Sequence, residues 1–480
     1  MADICVIYAS EDEDVVEKLV KLLRREWSVW WARDISHGSW EKQVRMEIAN
    51  AKVIVPVLSQ YTNEKAIFRD ELDLARDSEK PVFLFMIGQG QVPLGHGVLN
   101  RTEAIGWGGN ERENGYEQLR RKVVSEIAPT KSIGTSGTRL REFVIRKKVL
   151  ELPCFVFSLS SHETQVTPRD GIALFRALSP EVGLVSSYDA WHSKKKKDGL
   201  FRGVSQLKGT DHVLFLDSGN YEASRKNDHK SKENAGGWSV EAYRDIAGKI
   251  SPDLAFSFDG LNPTGSIERV VKAIVRDFRA DEMGISGRDF PLCPIVHVPP
   301  GKAEAIGDRA ASVVAAVAAE LDPVMVAIPE RELGDGLRER FRTVIKIRRE
   351  LNTLGKYYPL HLLGTGNPIS ILTLAVAGAD SFDGLEWCRT VADYDNGRLF
   401  HFQHFDLFRD VYQMRLQQKT RDVVESDQIH YNGKVAAYNL DYFTDLVRTV
   451  RGMIHSDQQE MLLKYSVPNI GKSLFEELAK

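Results

Sequence analysis

From Pro153 onward one pattern recurs: a short apolar run of strand length, a polar or glycine-bearing cluster, then an amphipathic stretch long enough for a helix. The runs lie at 154–157, 213–216, 254–258, 295–298, 324–328, 360–363 and 381–383. The alternation of these runs with helices predicts strands paired in parallel. Seven such units in about 230 residues fit a (β/α) barrel better than an open sheet. Several runs pass straight into polar clusters: Asp217-Ser218-Gly219-Asn220, Asp259-Gly260 and Gly364-Thr365-Gly366. Strand C-terminal ends are where such a barrel carries its chemistry, so these clusters are the first place to look for function.

The same alternation runs through residues 1–129, with apolar runs at 4–8, 53–58 and 81–87. Between the first run and Val29, residues 14–25 set Val15, Leu19, Leu22 and Leu23 at helical spacing, with acids at the start and Lys21, Arg24 and Arg25 at the end. Residues 131–138 hold Ser, Thr and Gly with Ile133 as the one apolar residue, and cannot bury a face. The tail from about 405 reads as amphipathic helix. The expected division is therefore 1–129, a linker at 130–148, a barrel at 149–410 and a helical C-terminal extension at 411–480.

Lys plus Arg number 64 against 67 Asp plus Glu, a net charge of -3, so no global field draws the chain to nucleic acid or membrane. The small-apolar stretch at 310–319 is too short to span a bilayer, and the acid-rich start (Asp3, then 11–14) has the wrong sign for a leader. A cytoplasmic protein without membrane contact is expected. Cys5, Cys154, Cys293 and Cys388 lie too far apart for a disulfide framework or a paired-cysteine metal knuckle. They read as buried thiols or as chance occurrences, and no metal is expected.

Three motifs in the N-terminal part resemble those of TIR domains, in the same order. Ile7-Tyr8-Ala9-Ser10, with Asp12 or Asp14 following, is similar to the family's first strand and turn; Arg33-Asp34-Ile35-Ser36-His37-Gly38-Ser39-Trp40 to its second-strand loop; and Leu58-Ser59-Gln60-Tyr61, then Asp70-Glu71-Leu72, to its fourth-strand exit and next helix. The resemblance implies a flavodoxin-like fold. In the enzymatic branch of the family the matching glutamate contacts the nicotinamide ribose of NAD, which makes Glu71 the expected catalytic residue. It also implies NAD, as substrate, against Tyr8, Ala9, Ser10, Asp34 and Trp40. Nicotinamide leaves as a neutral base from a cationic ribosyl centre, so a carboxylate facing that centre suffices without a metal. One departure is Ile67, with Phe68 beside it, where many relatives carry Trp four residues before the glutamate. The family further implies a homo-oligomer in which the loop 35–40 of one TIR domain completes a neighbour's cleft, with Trp40 as apolar anchor. By residue type alone, Glu71 beside Asp70 and Asp73 also reads as a solvated helix acid, and the loop as a turn with one packed Trp.

The later motifs resemble the tRNA-guanine (queuine) transglycosylase barrel. Leu216-Asp217-Ser218-Gly219-Asn220-Tyr221 is similar to the family's Asp-Ser-Gly-Gly-Phe turn, 361–366 to the segment before the nucleophile strand, and Phe382-Asp383 to the site of the nucleophilic aspartate. The resemblance implies a (β/α)8 barrel of TIM type. It assigns Asp383 as nucleophile, Asp217 as the second catalytic carboxylate, and Asp259, His297, Glu330 and Gly364 as base-binding residues. His297 stands for a glutamine, and Ile328-Pro329-Glu330 for an Ile-Gly-Gly turn. Base exchange needs one carboxylate at the anomeric carbon and another to manage the proton of the base. The family's Cys-x-Cys-x-x-Cys zinc site has no counterpart; Cys388 and 400–404 are what lies nearby. Basic stretches at 194–197 and 225–232 could meet phosphates, although such runs are commonly solvated loop tips.

Together these resemblances imply an NAD+ glycohydrolase effector of anti-phage defence, in which the barrel senses a nucleobase, nucleotide or nucleic-acid trigger and TIR self-association switches on NAD cleavage. Two other readings stand beside it: an active base-exchange transglycosylase on RNA or DNA, and a non-enzymatic TIR adaptor or scaffold.

Overall fold

The computed structural model describes residues 2–24, 27–32, 40–63, 65–78, 80–93, 99–109, 114–127, 139–162, 164–196, 199–207, 212–224, 237–299, 305–456 and 458–478. The chain divides into two compact units, one made of 1–133 with 146–149 and the other of 134–145 with 150–480.

The first unit is built on a five-stranded parallel sheet: β1 (Ile4–Ile7), β2 (Val29–Trp31), β3 (Val53–Leu58), β4 (Phe83–Met86) and β5 (Asn100–Glu103), in the order β2-β1-β3-β4-β5. Helices α1 (Glu13–Leu23), α2 (Trp40–Asn50) and α3 (Ala66–Asp77) join successive strands from β1 to β4, and α4 (Asn114–Glu126) follows β5. Every residue of β1 and β3 is buried, which is why both read as unbroken apolar runs. Helix α1 turns Val16, Leu19, Val20 and Leu23 inward, and the expected Val15 is only half-buried. The stripe at i, i+3, i+4 and i+7 won over the one that starts a residue earlier. The motif 58–61 leaves β3, not a fourth strand.

In the second unit eight parallel strands form a ring: β8 (Cys154–Leu159), β9 (Val182–Ser186), β10 (Val213–Asp217), β11 (Leu254–Phe256), β12 (Leu292–Cys293), β13 (Val326–Pro329), β14 (Leu360–Leu363) and β15 (Ser381–Gly384). They pair in chain order, and β15 pairs with β8. Between β12 and β13 the ring closes through one bridge, Ile295 to Ala327, and is thinner there because prolines 291, 294 and 299 lack the N–H a ladder needs. This shortens the run expected at 295–298. Strand β9 had no counterpart among the seven expected runs, since Gly183 interrupts it. A Cβ there would lie 2.4 Å from the Phe175 ring, so the packing demands the glycine that obscures the strand.

Two expected boundaries shift. Preceding the barrel, strands β6 (Glu142–Ile145) and β7 (Lys148–Glu151) fall largely inside the stretch expected to be linker. Phe143, Ile145 and Leu150 join the core at the strands' N-terminal end, with Phe215 and Met325. Arg139 is bonded to Asp380 at 3.0 Å and to the Ala375 carbonyl at 2.7 Å. At the other end, helix Tyr431–His455 packs on β8 and on helices Pro168–Leu178 and Pro368–Ala377, and Phe443 stacks on Phe155 at 4.7 Å. It is the barrel's eighth helix, and it lies within the helical C-terminal extension expected from 411. Residues 390–425 are an insertion before it, with β16 (Thr390–Ala392), β17 (Leu399–His401) and a small core of Val391, Phe402, Phe405, Tyr412 and Leu416.

Asn439 of that helix is fully buried: it accepts from Ala392 N–H at 3.0 Å and donates to the carbonyls of Trp387, at 2.7 Å, and Thr390. Asn439→Ala strands three backbone groups and is expected to cost about 2 kcal/mol, read as a lower denaturation midpoint. All four cysteines are buried free thiols. Among the described residues no helix is long and apolar enough to cross a membrane.

Candidate functional site

In the first unit the loops after β1 and β3 meet at one edge of the sheet. Ser59, at the exit of β3, donates to Asp12 at 2.6 Å and caps the short turn that follows through Tyr61 N–H. Tyr8 stacks on Trp31 at 5.7 Å, Ala9 is buried, and Ser10 is exposed and donates to Glu11. Helix α3 turns Phe68, Leu72 and Ala75 into the core, and Glu71 lies on that same buried face with 9% of its surface exposed. Among the described residues no hydrogen bond or ion pair holds its carboxyl. Burial, with the neighbouring Asp70 charge, pushes it up to about 7. Its field reaches Cys5 of β1, whose thiol is raised by burial and then by Glu71 and Glu47. A largely buried carboxyl with a raised pKa and no partner among the described residues is a functional-site signature.

The second unit gathers acids at the C-terminal ends of its strands. Asp383 on β15 accepts from Ser158 Oγ at 2.8 Å and from Gly364 N–H at 2.7 Å, and His361 Nε2 approaches to 3.5 Å. Gly364 adopts φ 75°, the left-handed conformation that aims its N–H there. Asp217 closes β10 and accepts from Gly219 N–H at 2.9 Å. Burial drives Asp217 up to about 7 against that bond, and the charges of Asp259 and Asp383 add to the rise. Gly219 has φ 70°, and a Cβ on it would fall 2.6 Å from Tyr188 N.

Asp259 receives Ser218 Oγ at 2.6 Å and His297 Nε2 at 2.8 Å, while His297 Nδ1 bonds Glu332 at 2.7 Å and Glu332 also takes Val298 N–H at 2.7 Å. Burial opposes a proton on His297, but the bonds to Asp259 and Glu332 outweigh it and raise the imidazole to about 9. At neutral pH it is an imidazolium donating from both nitrogens to two carboxylates.

A family model, that of the TIR domain, matches residues 4–120. This segment is a TIR domain. No curated protein matches the chain.

The TIR domain brings Tyr8, Ala9 and Ser10 to the strand edge. Asp34 and the Trp40 side chain lie outside the described residues, as do the basic side chains of 194–197 and the stretch 225–232. Ile67, at the position where many relatives carry Trp, is 57% exposed, and Phe68 is turned into the core. In the barrel Asp217, Asp259, His297, Gly364 and Asp383 converge. Glu330 sits at the end of β13 but is ion-paired to Arg340 at 2.8 Å, so its carboxylate is already engaged. Sequence reasoning missed Ser158, Glu332 and Glu386. Glu332 and Glu386 follow Glu330 and Asp383 by two and three residues, a clue available from spacing at strand ends. Ser158 carried no signal beyond its place in an apolar run. Among the described residues no group of three or more His, Cys, Asp or Glu is placed to hold a metal ion.

Proposed function

We propose that the chain is an NAD+ glycohydrolase whose TIR domain cleaves the nicotinamide bond through Glu71, and that the transglycosylase-like barrel is its sensor for a nucleobase, nucleotide or nucleic-acid trigger. The observation that carries this reading is Glu71 itself: a largely buried carboxyl with no partner among the described residues, on a helix of the matched TIR domain, at the position that the resemblance to NAD-cleaving TIR enzymes assigns to their glutamate. Once ionised in a low-dielectric cleft, such a group stabilises the oxocarbenium-like ribosyl centre far better than water does. The role suits a defence effector, because NAD loss is harmful unless a trigger controls it.

Self-association is the proposed switch, with the loop 35–40 of one copy completing the cleft of the next. Specific activity of the purified full chain is expected to rise steeply with protein concentration, as mass action requires of a site shared between copies, and Gly38→Arg in that loop should blunt the rise. A flat specific activity across a wide dilution series of a protein that stays monomeric would refute the shared site.

One observation favours a second reading, base exchange at the barrel. Asp383 is held by two donors, with Asp217 near neutral pKa close by, the pairing that nucleophile and proton carrier need. A covalent nucleic-acid adduct present on the wild type and absent from Asp383→Asn would establish it.

A further inference from the structure

Glu386 takes no part in either reading above, and its surroundings are unusual for a carboxyl. It follows β15 on the short turn Glu386–Cys388, and its Oε2 is buried without a hydrogen-bond partner. The carboxyl lies across two glycines. A Cβ on Gly366 would come within 1.6 Å of Oε2 and one on Gly384 within 2.6 Å, so no other residue at either position would admit the carboxyl as it stands. Two further buried polar atoms lie on the neighbouring strand end: Thr365 Oγ1, between Gly364 and Gly366, has no hydrogen-bond partner, and His361 Nε2 has none beyond its 3.5 Å approach to Asp383. Unsatisfied buried polar atoms are scarce in folded proteins, and more than one on adjacent strand ends points to a ligand that completes them. Burial keeps the Glu386 carboxyl above its ordinary range. Its own backbone N–H and Arg389 oppose that rise, and Asp383 and Glu330 support it. In its acid form that carboxyl offers an O–H donor.

The ring of strands says what it would meet. β11, which leads into Asp259, and β15, which carries Asp383 and leads into Glu386, stand four strands apart in a ring of eight, on opposite sides of the barrel mouth. A purine that turns its donor edge, N1–H and the exocyclic amine, to the Asp259 carboxylate must turn its five-membered ring toward β15. The acceptor on that side of the base is N7.

We propose that Glu386 is a specificity-determining residue of the barrel, donating a hydrogen bond to N7 of a purine whose opposite edge is held by Asp259. The proposal rests on the reading that the barrel binds a base, and it adds which base: an ordinary purine in preference to its 7-deaza analogue, which has a C–H at that position.

Calorimetric titration of the full chain with guanine and with 7-deazaguanine tests it. The wild type is expected to bind guanine ~10-fold more tightly, the worth of one hydrogen bond to a buried group. Glu386→Ala should erase that preference, and Glu386→Gln, whose amide still donates, should keep most of it. Gly366→Ala provides an independent route, since the added methyl displaces the carboxyl while Glu386 stays in the chain, and it should erase the preference too, with a melting curve to verify the fold. Equal wild-type affinity for the two bases, or a preference that survives in Glu386→Ala, overturns the assignment of Glu386 and leaves a base-binding barrel standing. If the wild type binds neither base, the base-binding reading falls and the proposal falls with it.

Discussion

Replacing Glu71 by Gln is expected to lower nicotinamide release by about a hundredfold or more while making the protein more stable above neutral pH. The first effect is the loss of a transition-state electrostatic group. The second follows from linkage. The folded protein holds the Glu71 proton up to about pH 7, whereas an unfolded chain releases it near 4.5. Between those values the native state binds more protons, so its stability falls as pH rises through the window, and above 7 the full penalty of a buried charge is present. Glutamine carries no such charge. The variant should therefore gain on the order of 2 kcal/mol at pH 8 and nothing below pH 4.5, read as melting temperatures at the two values. Turnover in the wild type should climb through pH 7 as the carboxylate forms. A mutation that removes activity and adds stability marks a site held for chemistry, whereas a structural glutamate would lose stability on the same change. Unchanged turnover in Glu71→Gln would remove the enzymatic reading of the TIR domain.

The buried strands were legible because a strand covered on both faces leaves a continuous apolar run, as 53–58 does in β3. β9 was hidden by Gly183, whose necessity lies in the Phe175 ring, a contact that no local pattern encodes. The barrel's eighth helix was legible as a helix but not as part of the barrel, because the insertion at 390–425 separates it from β15. The acids at strand ends were legible by type and position. Their engagement was not: Glu330 looks as available as Asp383 until Arg340 is seen on it, and the exposure of Glu71 could be read either way before α3 was oriented on its sheet. Charge pairing across strands depends on distances that the order of residues does not contain.

Asp259 carries the other large effect. Its two oxygens already accept from Ser218 and from the His297 imidazolium, and each keeps a lone pair for a ligand, so a donor-rich base edge can be added without displacing either partner. An asparagine there has one acceptor oxygen in place of two, and its amide N–H group faces either Ser218 or the donating imidazolium of His297, and with it one donor of the base. Asp259→Asn is therefore expected to abolish trigger-dependent NAD loss in the full chain, a drop of about a hundredfold or more when a bidentate charged contact becomes a donor clash. NAD cleavage by concentrated, untriggered protein should persist, since the TIR domain keeps Glu71. Asp383→Asn is the companion measurement. A sensor needs a shaped pocket and no nucleophile, and the asparagine oxygen can still accept from Gly364 N–H, so triggering should survive within a few-fold. If Asp383→Asn instead silences the response as completely as Asp259→Asn, the barrel is acting on its ligand, and glycosyl chemistry becomes part of the switch.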